Sequence, residues 1–316
     1  MTVLRATRWF SSSPIISLVA IFFLLTLVAS LISPVFFSPE NFQNIIRNMA
    51  VVGIIAMGMT TVLIAGEVDL SVGSAMAFTA MLGATLVDGG ASAPVILVTL
   101  LAGVLVGLVN GVGVAVFRVP SLIMTLGMLA IARALGNLVS GGQSTYPNDL
   151  TGYVFLGRGL WFGVPVAILV FAGVVLVSFY VLRLSKLGPA LYAVGANPKA
   201  ATLSGISAIK VKLFAFVFSG FCAALAGIIQ SARLGQINPA MGQGFELTAI
   251  AVAVLGGASL FGGKGTVEGT LTAALIFGVL YNMFNLIGIS GHIQLVFVAL
   301  IIVIMAYLHG LGERTA

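Results

Sequence analysis

Charge is scarce in this chain. Of 316 residues only 7% are Asp, Glu, Lys or Arg, eight of these are acidic, and Cys222 is the single cysteine. Soluble domains carry about a quarter of their residues as charges, so an ordinary soluble fold is excluded. One thiol supports neither a disulfide framework nor a cysteine metal set. His292 and His309 have no second ligand at metal spacing, and no metal site is assigned. No GxxxxGK[ST] stretch occurs, so any ATP that drives this protein binds elsewhere. The pairs Gly256-Gly257 and Gly262-Gly263 follow an apolar helix with no soluble strand before it. They read as a tight turn or close helix packing rather than a phosphate loop. Histidines and carboxylates form no cluster at active-site spacing, so no catalytic residue is assigned and a membrane enzyme is disfavoured.

What is present is apolar. Hydrophobic residues make up 60% of the chain and mean hydropathy is +1.20. A bilayer core about 30 Å thick takes roughly 20 apolar residues per helix. Apolar runs fall near 15–33, 44–65, 71–88, 93–117, 121–140, 163–182, 213–232, 245–261, 266–288 and 293–309. They lack the alternation of barrel strands, and lipid demands internally satisfied backbone, so the spans are read as helices. The expectation is an all-α integral membrane protein of about ten transmembrane helices, one domain over 1–316 with no room for a second. The first run follows Arg5 and Arg8 as a signal peptide would, but its length and its continuation into another span favour an uncleaved anchor.

Basic residues orient the bundle. With both termini cytoplasmic and ten spans, the inner side holds Arg5, Arg8, Arg118, Arg183, Lys186, Lys199, Lys210, Lys212, Lys264 and Arg314, leaving Arg47, Arg133, Arg158 and Arg233 outside or within spans. The net charge of +6 therefore reports topology, not nucleic-acid binding.

Carboxylates in such a chain need a partner or water. Glu67 and Asp69 sit in GEVDLSVGS (66–74), between the second and third runs. One reading is a helix start capped by Asp69 or Ser71. The other is a broken-helix element lining a polar pathway. GGKGTVEGT (262–270) echoes the segment, with Gly, six residues, then Gly and a small hydroxyl residue, as a duplicated half would. Glu67, Asp69, Ser71, Asn110, Arg133 and Glu246 are the pathway candidates. Asn137, Gln230, Asn282, Asn285 and Gln294 are polar groups that either contact solute hydroxyls or glue helices together. Arg133 calls for a carboxylate, carbonyl or water partner, and Glu246 for a helix N-terminus or a mouth contact.

Four ordered segments carry a resemblance: GMTTVLIAGEVDLSVGS (58–74), VPSLIMTLG (119–127), GPALYAVGANPKAATLSGI (188–206) and FELTAIAVAVLGGASLFGGKGTVEGT (245–270). Over nearly its whole length the chain resembles the permease subunit of bacterial ABC importers for monosaccharides, the ribose-type branch of the branched-chain amino acid and ribose permease family. The resemblance implies a multi-pass inner-membrane permease that works as a homodimer or with a paralogous permease. Two cytoplasmic ABC ATPase subunits would bind ATP and Mg, and a periplasmic solute-binding protein would deliver the sugar. No cofactor is bound by the chain itself.

The resemblance also implies an ATPase-coupling loop, here about 183–212, with Gly188, Tyr192, Gly195, Asn197, Pro198, Lys199, Ala200, Ala201, Leu203, Ser204 and Gly205 as its contact residues. The loop has five basic and no acidic residues. Pro198 behind Asn197 predicts a short helix that Gly205 ends. Pro189 stands where the family usually has Arg, and Ala196 where it usually has Gly. The alternative function is an ion-coupled secondary transporter, which requires a mid-membrane carboxylate relay.

Overall fold

The computed structural model describes residues 14–86, 91–147 and 150–314. Arg5 and Arg8 lie outside them. The described residues are mostly helical: α1 (Pro14–Ile32), α2 (Pro39–Ile64), α3 (Val72–Leu86), α4 (Ser92–Ala115), α5 (Ser121–Ser140), α6 (Thr151–Arg158), α7 (Val166–Phe179), α8 (Leu187–Ala196), α9 (Pro198–Leu203), α10 (Ala208–Leu234), α11 (Phe245–Leu255), α12 (Val267–Leu286) and α13 (Gly291–Arg314). A π turn, Tyr180–Leu184, continues α7, and a two-residue hairpin of β1 (Leu160–Trp161) and β2 (Val164–Pro165) precedes it.

Every apolar run holds a helix, and among the described residues seven helices are long and apolar enough to cross a membrane: α1, α2, α4, α5, α7 with its π turn, α10 and α12. Three runs give shorter apolar helices, α3, α11 and the Gly291–Tyr307 part of α13. The run read as 245–261 stops as helix at Leu255, because the glycine-rich stretch from Gly256 to Gly265 turns. At 1.5 Å per residue, α11 is about 16 Å long, half a bilayer core.

Helix α2 is the central pole. It is apolar on all sides from Met49 to Ile64 and buried throughout that length, as a helix without a polar stripe must be. Helices α10, α12, α11 and α7 pack around it. At its start, Asn41 and Asn282 of α12 exchange amide hydrogen bonds at 3.1 and 2.6 Å. Each such interhelical bond is worth about 0.6 kcal/mol in a membrane protein.

Lipid gives no hydrophobic drive between helices, so close backbone approach replaces it. Along α4, Gly103, Gly107 and Gly111 recur every fourth residue and face α10. A Cβ on Gly107 would lie 2.3 Å from the Phe216 carbonyl oxygen, and one on Gly220 would lie 2.2 Å from that of Gly103. Any side chain at these positions pushes the two helices apart.

Candidate functional site

The segment read as one loop folds as two helices. Helix α8 runs from Leu187 to Ala196, and α9 from Pro198 to Leu203. Asn197 is extended, its side-chain oxygen accepts the Ala200 N–H at 3.0 Å, and Pro198 occupies the first turn, where no N–H is needed. At the other end the Ile206 N–H reaches the Ala201 carbonyl, and the Gly205 N–H that of Thr202, both at 3.0 Å. This closure requires a left-handed residue at 205, which Gly205 supplies with φ +83°. Lys210 and Lys212 already belong to α10. Of α9 only Ala201 is buried; Pro198, Lys199, Ala200 and Ser204 are exposed, and Leu203 is 91% exposed.

Helix α8 roots this projection in the bundle. Gly188 sits under the Leu182 carbonyl of the π turn, 2.2 Å from where its Cβ would be. At the far end Gly195 fits where two chain junctions meet, the one after α2 and the one after α11. Its Cβ would lie 1.8 Å from the Ile64 carbonyl oxygen and 2.7 Å from the Gly263 nitrogen. Those two backbone groups are themselves joined, with the Gly263 N–H donating to Ile64 at 3.0 Å. The segments that echo one another in sequence thus touch, and α8 is laid across the contact. Tyr192 Oη donates to the Gly265 carbonyl at 2.8 Å.

Each junction also carries a carboxylate held by a cation from the loop's flanks. Glu67 pairs with Lys212, both largely shielded, and Glu268 pairs with Arg183 at 3.3 Å, both exposed. The exposed pair is worth under about 1 kcal/mol. Glu67 therefore belongs to this platform rather than to the bundle interior.

Above the platform the chain is broken. After Ile64 it turns through seven residues before α3 begins at Val72. Asp69 in that break is 1% exposed. One of its oxygens accepts the Ser71 N–H at 3.0 Å and the Ser71 hydroxyl at 2.6 Å, and the other accepts the Ser219 hydroxyl of α10 at 2.8 Å. Asn110 of α4 donates to the Ser71 oxygen at 2.9 Å. The break is thereby tied to α10 directly and to α4 through Ser71. Ser71 faces Asp69 instead of capping the first turn of α3, so Asp69 organises the break itself.

A second break meets the first. Residues 235–244 enter the bundle and launch α11 beside the start of α3. A Cβ on Gly73 would lie 2.2 Å from the Gly242 carbonyl and 2.4 Å from Glu246 Oε2. Glu246 Oε1 accepts the Gly244 N–H at 3.2 Å, placing its charge at the meeting of two helix N-termini, where a carboxylate is favoured. Arg133 of α5 donates to the carbonyls of Pro239 and Met241, and so finds the backbone partner that its position demanded. It also interacts electrostatically with Glu246. Two part-length helices meeting inside a bundle form the broken-helix arrangement of transporter folds.

The structure thus gathers the sequence candidates into two places. Gly188, Tyr192, Gly195 and α9 with Glu67 make the platform, while Asp69, Ser71, Asn110, Arg133 and Glu246 hold the two breaks. Sequence reading missed that α8 is helical, because its glycines and Pro189 resemble loop punctuation; the apolar Leu187, Leu191 and Val194 spacing was the signal available. It also missed Lys212 as the partner of Glu67, a contact between residues 145 positions apart.

Residues 41–306 match the family described as the branched-chain amino acid transport system permease component. The ribose import permease protein of Haemophilus influenzae is 40% identical over 91% of this chain and 90% of its own. That of Bacillus subtilis is 36% identical over 90% and 89%. The D-allose transport system permease protein of Escherichia coli is 34% identical over 87% and 86%. With a family match across most of its length and relatives well above 30% identity, the chain belongs to this family of ABC transport permeases and is a multi-pass protein of the inner membrane.

Proposed function

We propose that this chain is the membrane half of an ATP-driven importer for a monosaccharide or related small polyol. It carries the solute and does no bond chemistry. A separate ABC ATPase binds ATP and Mg on the cytoplasmic side, a periplasmic binding protein delivers the solute, and a second permease, identical or paralogous, completes the path. The platform is the cytoplasmic face in this reading, both termini lie on that side, and α3, α11 and α13 add to the seven full-length spans to give ten membrane segments.

The observation that carries the proposal is the seat of Gly195. A protruding helix with almost no burial of its own, α9, is joined through α8 to the contact between the two junctions. Force on α9 therefore reaches both junctions at once. ATP-driven closure of two ATPases would move α8, shift the junctions against one another and re-pose α3 and α11, opening the path on the other side. Around a cavity of about 850 Å³ under α9, Lys212 is balanced by Glu67, and Arg118 and Lys199 give this face its positive character, consistent with the positive-inside rule.

Asp69 and Glu246 lie inside the bundle, where an ion-coupled carrier would also place carboxylates. Asp69, however, has both oxygens engaged in three hydrogen bonds to protein, which suits a structural knot better than a relay.

The loop reading is tested by the double variant Lys199→Glu with Gly205→Val. Nothing lies within 4 Å of a Cβ at Gly205, so the change acts through φ and charge on α9 alone. Membrane insertion should match wild type, while copurifying ATPase falls at least about tenfold. Undiminished copurification would remove α9 from the interface.

A further inference from the structure

At the end of the bundle opposite the platform lies an open-mouthed cavity of about 400 Å³ lined by this single chain. Helix α2 runs from its wall at Asn48 to Ile64 at the platform, and α10 from Lys212 at the platform to Gln230 in its wall, about 24 and 27 Å at 1.5 Å per residue. Its size falls in the range of small-molecule sites.

The polar lining is mainly amides and hydroxyls. Asn48, Gln230, Gln243, Thr248, Tyr281 and Asn285 supply them beside one imidazole, His292, and no Asp, Glu, Lys or Arg lines the space. Several of these groups are already committed and therefore fixed. Asn48 Oδ1 accepts from Arg233, Thr248 Oγ1 bonds Tyr281 Oη at 2.8 Å, and Asn285 Oδ1 accepts from Gln294 at 3.0 Å. That leaves the Asn48 and Asn285 amide N–H groups as positioned donors. Gln230 Oε1 is shielded from solvent and has no hydrogen-bond partner. A buried acceptor left unmade costs about 1–3 kcal/mol, a cost that a ligand donor removes. Phe245, Val51 and Leu295 supply apolar surface on the same walls.

We infer that this cavity is a solute site for a neutral polyhydroxylated molecule of monosaccharide size. Side-chain amides each offer donors and an acceptor, which matches hydroxyls that both donate and accept. The C–H face of a sugar ring fits the apolar wall. A free amino acid is a zwitterion and needs partners for both charges in a shielded site; the lining holds no carboxylate for the ammonium group, so the cavity selects against the amino acids named in the family's description. This rests on the permease reading above.

The test uses the full complex, this chain with its copurifying ATPase and binding protein, in proteoliposomes. Gln230→Leu and Asn285→Leu should each cut ATP-dependent D-ribose uptake at least about tenfold. Wild-type uptake in both variants overturns the site. No uptake by wild type of any monosaccharide would instead overturn the permease reading itself. A second arm guards against misfolding. Cys222 is buried, so maleimide reports an introduced Gln243→Cys, at an exposed position on the cavity rim. D-ribose at saturating concentration should slow labelling several-fold, and L-leucine should not. Equal labelling with and without sugar, slowing by L-leucine, or failure to label at all would overturn the assignment.

Discussion

Gly195→Val should stop most ATP-driven uptake. Its Cβ would sit 1.8 Å from the Ile64 carbonyl oxygen and 2.7 Å from the Gly263 nitrogen, on the hydrogen bond that joins the two junctions. These are backbone atoms, so no rotamer change relieves the clash, and α8 must lift away. Overpacking of a tight site costs about 1–3 kcal/mol, and this site is tighter than most. Uptake should fall at least about tenfold and melting in detergent should drop. Gly127→Ala is the control, since a Cβ there meets nothing within 4 Å. A Gly195→Val protein that transports like wild type would show that force does not pass through this contact.

Asp69→Leu destabilises the bundle, whereas Asp69→Asn does not. Leucine removes the acceptor of the Ser71 N–H, the Ser71 hydroxyl and the Ser219 hydroxyl. Buried polar groups left unpaired cost about 1–3 kcal/mol each and the terms are not additive, so a loss of about 3 kcal/mol is expected. Asparagine keeps one oxygen for the Ser71 pair, and its NH2 donates to a Ser219 hydroxyl that has turned to accept. Its cost should stay below about 1 kcal/mol. Thermal unfolding of the three proteins in one detergent decides the matter. An asparagine variant as unstable as the leucine one would mean that the charge, and not the hydrogen-bond pattern, holds the break.

Much of this was legible in the chain. Hydropathy placed a run over each of the seven helices long enough to span a membrane and over three shorter apolar ones, and Asn197, Pro198 and Gly205 marked both ends of α9, because caps and left-handed positions are local chemistry. Segment length was not legible in the same way. Hydropathy runs straight through 245–261, yet α11 stops at Leu255; apolar composition says that a segment is shielded from water, not whether lipid or protein shields it. The echo between 66–74 and 262–270 was visible as spacing, and the structure adds that the two segments touch. Its meaning needed the third element, Gly195, which lies over a hundred residues from one and over sixty from the other. Gly103, Gly107 and Gly111 show a four-residue repeat in sequence, but only the packing names Gly220 and Phe216 of α10 as what they approach. Contacts that join distant parts of a chain leave no local trace.

The central claim is that ATP hydrolysis by a partner, delivered through α9, moves a monosaccharide through this chain. Its most direct test is D-ribose uptake into proteoliposomes holding the copurified complex, with ATP and Mg on the platform side and all ion gradients collapsed by ionophores. The account predicts uptake that needs ATP and Mg and ignores the ionophores. Uptake driven by a proton or sodium gradient without ATP would contradict it and make this chain a secondary carrier.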